Sequence, residues 1–196
     1  MSPESSRTEV LRGTYECIAR VGLAKTTMDD AARAAGVSRA TVYRLFPGGR
    51  DELLRETVAW EMTRFFAHLG EALGSASDFA EFLERAIPMA RDELVHHEVL
   101  QKVLETEPDR LIPLITVEQH RLIAYISAYF LPMLERDRER GVVRADADLA
   151  QSAEYVARMA LSLVASPGHH DLDDPSEVHR LVRRELLGGL LVPARQ

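Results

Sequence analysis

Apolar residues return at intervals of three and four along almost the whole chain, and no stretch alternates with the two-residue period of a strand. The run Leu54, Val58, Met62, Phe65, Leu69 and Leu73 is the clearest case and lays one stripe down a helix. No Asn-Gly or Asp-Gly hairpin turn occurs. The pattern excludes sheet-based folds and predicts an all-α chain of about nine helices, with the seventh longer than the rest.

Start and stop signals divide the pattern. Ser6 with Glu9 and Thr27 with Asp30 read as capping boxes. Ser38 can cap the helix that opens at Arg39 and Ala40, and Asp174-Pro175 puts a cap before a proline at the first helical position. Gly22 closes a first helix over residues 6–21, Gly36 breaks the second, and Pro47-Gly48-Gly49 ends the third. Further breaks fall at Gly74, Pro108, Gly141 and Ser166–His170. The stripe from Leu54 to Leu73 starts in the head and ends in the body, so the fourth helix is expected to join them.

Charge separates the same two regions. Up to Arg50 there are eight Lys/Arg against five Asp/Glu, whereas the remainder has 16 against 26 and the whole chain carries -7. A basic head on an acidic body suits a polyanion partner at one end. The expected organisation is residues 1–50 as a basic head that meets the polyanion and 51–196 as a helical body. A single cysteine, Cys17, allows no internal disulfide and reads as a buried core thiol. No signal-peptide layout and no membrane-length apolar run is present, so a cytoplasmic location with no membrane partner is expected.

In the head, Thr26–Phe46 reads as two short helices meeting at a turn that contains Gly36. Ala32 allows a close helix crossing, Gly36 supplies the positive-φ turn position and Val42 seals the pair, which is the logic of a helix-turn-helix. Met28, Ala31, Val37 and Leu45 complete the core contacts, leaving Arg39, Ala40, Thr41, Tyr43 and Arg44 pointing outward. Arginine can pair with guanine, threonine with a base edge or a thymine methyl, and tyrosine with a phosphate. Thr26, Thr27 and Ser38 stand beside helix N-termini, whose free N–H groups suit phosphates. The alternative is a helical hairpin whose polar face is merely solvated.

The segment Thr26–Leu54 resembles the DNA-binding segment of the TetR/AcrR transcriptional regulators. The matching features are the Thr26-Thr27 pair, the turn from Ala32 to Ser38, Tyr43 to Phe46, and Arg50 before Asp51-Glu52 and Leu53. Arg50 stands where relatives usually carry lysine, after a loop one residue longer than the common one, and Arg44 stands where histidine or an aromatic is frequent. The resemblance implies a palindromic double-stranded operator as partner, a small-molecule effector and a homodimer, with Arg50 meeting a phosphate.

It also implies that the last two helices form a four-helix dimer interface. Ala153, Val156, Ala160 and Leu163 stripe the eighth helix, and Val178, Leu181, Val182 and Leu186 stripe the ninth. Inward packing on their own subunit is the alternative, but a single helix-turn-helix usually binds too weakly to specify a site alone, which favours a dimer. Helices four to seven hold bulky residues among which the family would keep a ligand cavity, and plain core is the competing reading. The candidates are Phe66, Phe82, Met89 and Leu104 as apolar walls, with Arg121, Tyr125, Tyr129 and Arg158 for a polar end. Pro88 and Pro132 fall inside apparent helices, where each removes a backbone hydrogen bond and is expected to kink the helix.

No cofactor and no metal site is expected. His96-His97 and His169-His170 are adjacent pairs, which diverge by about 100° on a helix, and no His-x-x-x-His or Cys-x-x-Cys spacing occurs. Neither G-x-S-x-G nor G-x-G-x-x-G appears, so no catalytic motif speaks for an enzyme. The segment Arg136–Gly141 reads as a solvated helix end. The reading is a ligand-responsive, sequence-specific regulator, a repressor released from its operator by a small, largely apolar molecule. A ligand-independent architectural protein and a helical small-molecule-binding protein are the alternatives.

Overall fold

The computed structural model describes residues 3–192. These form nine α-helices and one π-helical segment, with no strand longer than an isolated bridge among the described residues. The helices are α1 (Pro3–Val21), α2 (Met28–Ala34), α3 (Arg39–Leu45), α4 (Gly49–Ala72), α5 (Phe79–His96), α6 (Glu98–Thr106), α7 (Pro108–Glu139), α8 (Leu149–Ala165) and α9 (Pro175–Arg180). The last runs on as a π-helix over Leu181–Leu186.

Most boundaries follow local chemistry. Thr27 and Asp30 form the expected capping box on α2. Ser38 and Asp174 cap α3 and α9 as expected, and Asp148 caps α8. Gly22, Gly36, Gly49, Gly141 and Gly168 all take positive φ at the breaks between helices. One cap differs. The first helix begins at Pro3, so Ser6 lies inside it, and Glu9 pairs with Arg12 instead of closing a box. Proline is favourable at a first helical position, where no N–H bond is lost. The ninth helix is not α-helical throughout. From Leu181 its bonding widens by one residue, as in Leu187 N–H to the Val182 carbonyl at 2.9 Å. Gly188 then lies so close to the Arg184 carbonyl that a side chain is excluded.

The chain packs as two units. The first contains residues up to Arg64 together with His97–Gln119, and is larger than the head expected over residues 1–50. The second contains Phe65–His96 and the residues from His120 onward. Both α4 and α7 contribute to each unit. The first unit has two apolar clusters. Val10, Leu11, Met28, Ala31, Ala32, Val42, Phe46 and Leu53 form one, while Ile18, Leu23, Leu54, Val103 and Leu111 form the other.

In the second unit the core draws on α4, α5, α7, α8, α9 and the π segment. It contains Ala153, Val156, Ala160, Leu163, Val178, Leu181, Val182 and Leu186, every one of them buried within the single chain. The expectation that these eight side chains meet a partner is therefore corrected: an apolar stripe repeats with the same period whichever surface it covers. What α8 turns outward includes Gln151, Glu154, Tyr155, Arg158 and Ser162.

The helix end at Arg136–Gly141 is not simply solvated. Asp137 is only 1% exposed and accepts the Phe79 N–H at 2.7 Å, so it caps α5 across the second unit. Arg140 reaches both Asp137 and the Ser77 carbonyl at the same junction. Both prolines lie within helices assigned without interruption, Pro88 in α5 and Pro132 in α7. No helix is long and apolar enough to cross a membrane among the described residues.

Candidate nucleic-acid interface and ligand cavity

The turn between α2 and α3 closes with the Val37 N–H bonded to the Ala32 carbonyl at 3.0 Å, while Gly36 sits at φ 65°. This is the six-to-one bond of a glycine-terminated helix, and it fixes where α3 starts. The Ser38 hydroxyl then accepts the Thr41 N–H at 3.1 Å. Val42 is fully buried, which sets the rotation of α3 and leaves Ser38, Arg39, Ala40, Tyr43 and Arg44 exposed, with Thr41 half-buried. Among the described residues Tyr43 and Arg44 have no hydrogen-bond or ion-pair partner, whereas Arg39 pairs with Asp29 of α2. Thr27 stays exposed at the start of α2, where its hydroxyl and the Asp30 carboxylate serve each other's backbone N–H. The bond from the Thr27 hydroxyl, helped by the Thr27 N–H and by Arg33, holds the Asp30 carboxyl below the usual range.

Two expected contacts are corrected. The Thr26 side chain is 1% exposed and donates to the Gly22 carbonyl at 2.7 Å, so it closes the α1–α2 turn and faces inward. Arg50 does not extend toward solvent. Its guanidinium bonds to the carbonyls of Thr26, Leu23 and Ala24, bracing that turn from α4. A guanidinium presents a fork of donors, and unsatisfied turn carbonyls are nearer than any phosphate.

Other residues that position the face carry weaker signals. Gly13 of α1 lies against α2, where a Cβ would come within 3.0 Å of Ala34 Cβ and of the Ala35 nitrogen. A lone glycine inside a helical pattern is a usable sign of such a close approach. Arg7 stacks over the Phe46 ring at 4.5 Å, donates to the Leu45 carbonyl at 2.8 Å and pairs with Glu56, tying α1 to the end of α3 and to α4. Glu107, before α7, accepts the Ala24 N–H at 2.6 Å, and Lys102 donates to the Ala19 carbonyl at 2.9 Å. No sequence spacing announces these long-range contacts.

In the second unit a cavity of about 50 Å³ opens among α4, α5, α7 and α8. Of the expected ligand residues it brings together Phe66, Phe82, Tyr125 and Tyr129, joined by Leu69, Gly70, Ile87, Ala90, Ile126, Phe130, Ala160, Leu161 and Val164 among others. Four expectations are corrected. Met89 packs against the core outside the lining, and Leu104 belongs to the apolar cluster of the first unit. Arg158 is exposed and pairs along α8 with Glu154, and Arg121 is exposed outside the lining. Long charged side chains stay in water while their helix buries the opposite face. Cys17 is a buried thiol beside Arg20, and burial pushes its pKa up.

A short, capped, surface-facing helix held over a glycine turn is the geometry of a helix-turn-helix. Residues 10–57 match the model of the bacterial regulatory proteins of the tetR family. Residues 10–57 thus carry the regulatory segment of the tetR family. The chain is 29% identical over 102 residues to an uncharacterized HTH-type transcriptional regulator of Mycobacterium tuberculosis; that match spans 52% of this chain and about half (51%) of the relative's length. It is also 29% identical over 189 residues to the HTH-type transcriptional regulator NfxB of Pseudomonas aeruginosa, covering 91% of each chain. Among solved structures, the TetR family repressor AlkX from a Dietzia strain, implicated in biodegradation of n-alkanes, shares the fold with a TM-score of 0.68. Its sequence is 24% identical, and the overlay covers 93% of this chain and 95% of that one.

Proposed function

We propose that the chain is a repressor that binds a palindromic operator as a homodimer and is released by a small, largely apolar molecule. The observation that carries this reading is the outward face of α3. Its apolar side is consumed by the core, while the side chains of Tyr43 and Arg44 stand exposed with no partner among the described residues. Ser38, Ala40 and Thr41 complete a surface narrow enough for a major groove, and Thr27 marks the N-terminus of α2 for a phosphate. Arg39 joins it by exchanging Asp29 for DNA.

The effector reading rests on the apolar cavity. At about 50 Å³ it is closed to any drug-sized molecule, because such ligands fill roughly 300–1,000 Å³. A ligand must move the walls, and α4 supplies Phe66, Leu69 and Gly70 to them. Since α4 also supplies Leu53 and Leu54 to the cores of the first unit, a shift of this helix changes how α3 is presented. The AlkX neighbour, with its link to n-alkanes, fits an apolar effector. The dimer would use the outward side of α8, around Tyr155 and Arg158, in place of the buried stripes.

A ligand-indifferent architectural protein is the second reading, and the net charge of -7 opposes the broad non-specific binding it needs. Gel shifts on duplexes selected from a random pool test the proposal. Specific binding that survives excess random competitor supports it, and binding that competitor abolishes favours the second reading.

A further inference from the structure

The cavity walls contain no carboxylate, histidine, lysine or arginine. Its lining is aliphatic and aromatic, and the only side-chain polar atoms it offers are the hydroxyls of Tyr125 and Tyr129. These two residues are also 37% and 39% exposed, so they stand where the cavity meets the surface.

Tyr129 is held by a bond at the end of α4. Its hydroxyl donates to the Gly70 carbonyl at 3.3 Å. That carbonyl belongs to the last turn of α4, where carbonyls lose their helical donors. The next candidate, the Gly74 N–H, is turned to the Glu71 carbonyl instead. Glycine at position 70 makes the contact feasible, because a Cβ there would come within 2.8 Å of the Tyr129 hydroxyl oxygen and 2.9 Å of its ring. The Gly70 carbonyl is thus a backbone acceptor at the cavity, covered by a long and replaceable hydroxyl bond.

We infer that the cavity takes an uncharged, largely hydrocarbon molecule bearing one hydroxyl. That hydroxyl replaces the Tyr129 phenol on the Gly70 carbonyl, making Tyr129 and Gly70 the specificity-determining pair. This rests on the ligand-responsive reading and deepens it. An ionised ligand would lose its hydration against walls with no opposite charge, and it is rejected for that reason. A hydrocarbon body gains by burial against Phe66, Phe82 and Ile126. The hydroxyl sets the position of the molecule, and displacement of the phenol opens the mouth.

The test uses the full chain at pH 8 with an uncharged fluorophore, N-phenyl-1-naphthylamine, displaced in turn by 1-decanol, methyl decyl ether, decanoate and decyltrimethylammonium. Decanol should displace it at a concentration at least about tenfold lower than either ion. Tyr129→Phe leaves the Gly70 carbonyl without its donor. Decanol should then bind about three- to tenfold tighter than to the unaltered protein, the span of one neutral hydrogen bond, with the ether unchanged. Circular dichroism verifies that the variant is folded. Decanoate or the ammonium ion matching decanol overturns this inference and leaves the ligand-responsive reading standing. Equal shifts of decanol and ether in Tyr129→Phe overturn the role of the Gly70 carbonyl. If the folded protein binds neither the fluorophore nor any competitor, both the inference and the ligand-responsive reading fail.

Discussion

Tyr43 and Arg44 are the polar residues of α3 whose side chains have no partner among the described residues, whereas Arg39 and Thr41 are engaged. Replacing either by alanine should leave the thermal transition unchanged. It should also weaken binding to a selected operator by about 1–3 kcal/mol per direct base or phosphate contact. Operator titrations of the two variants check this, and unchanged affinity in both removes α3 from the interface. Arg50 gives the opposite expectation. Arg50→Lys keeps the charge but cannot fork onto the carbonyls of Leu23, Ala24 and Thr26, so the melting temperature should fall. In Arg50→Gln, which removes the charge, the slope of log affinity against log salt should stay that of the unaltered protein. A slope reduced by about one per subunit would make Arg50 a phosphate contact after all. The sequence identifies Arg50 as important but not its role, because its partners are backbone carbonyls some 24 to 27 positions away.

At the scale of elements, the packing of α1 on α2 depends on Gly13. Alanine there would gain about 1 kcal/mol of helix propensity while crowding α2. Valine adds branching against the Ala34 backbone and should destabilise by about 1–3 kcal/mol, measured by urea unfolding. The capping box on α2 has a pH signature. Because the folded state lowers the Asp30 pKa, its contribution is fully present above the ordinary carboxylate range and is lost as pH falls through the lowered value. Acid titration of Asp30 by NMR should show its midpoint below that of a model peptide. Ala160→Glu or Leu186→Glu should now lower the stability of the second unit by several kcal/mol, since each puts a carboxylate into that chain's own core. A folded, stable but monomeric variant in sedimentation would restore the original interface assignment.

These elements show what was readable in the sequence. Helix existence, the α2 and α3 caps and the glycine stops were legible because each is encoded within a few residues. The outward face of α3 was legible for the same reason, since Val42 fixes the rotation of the helix. The destination of an apolar stripe was not, because helical period tells that a face is buried but not by whom. Asp137 was misread among the charged residues Arg136–Gly141, since the N–H it caps belongs to Phe79, 58 positions away.

For the whole molecule, the acidic body and basic head make salt a direct probe. A chain of net charge -7 has no overall attraction for DNA, so any binding must come from local phosphate contacts. If an effector is coupled to DNA release, the two must weaken each other by the same factor, commonly worth about 1–3 kcal/mol. The fluorophore should accordingly bind the free protein more tightly than the operator complex. The most direct measurement is selection of duplexes from a random pool, followed by affinity against salt on the enriched sequence. The account predicts a palindrome whose half-sites lie about 34 Å apart, one duplex turn, and a steep linear fall of log affinity with log salt. No enriched sequence, or an affinity indifferent to salt, would contradict it.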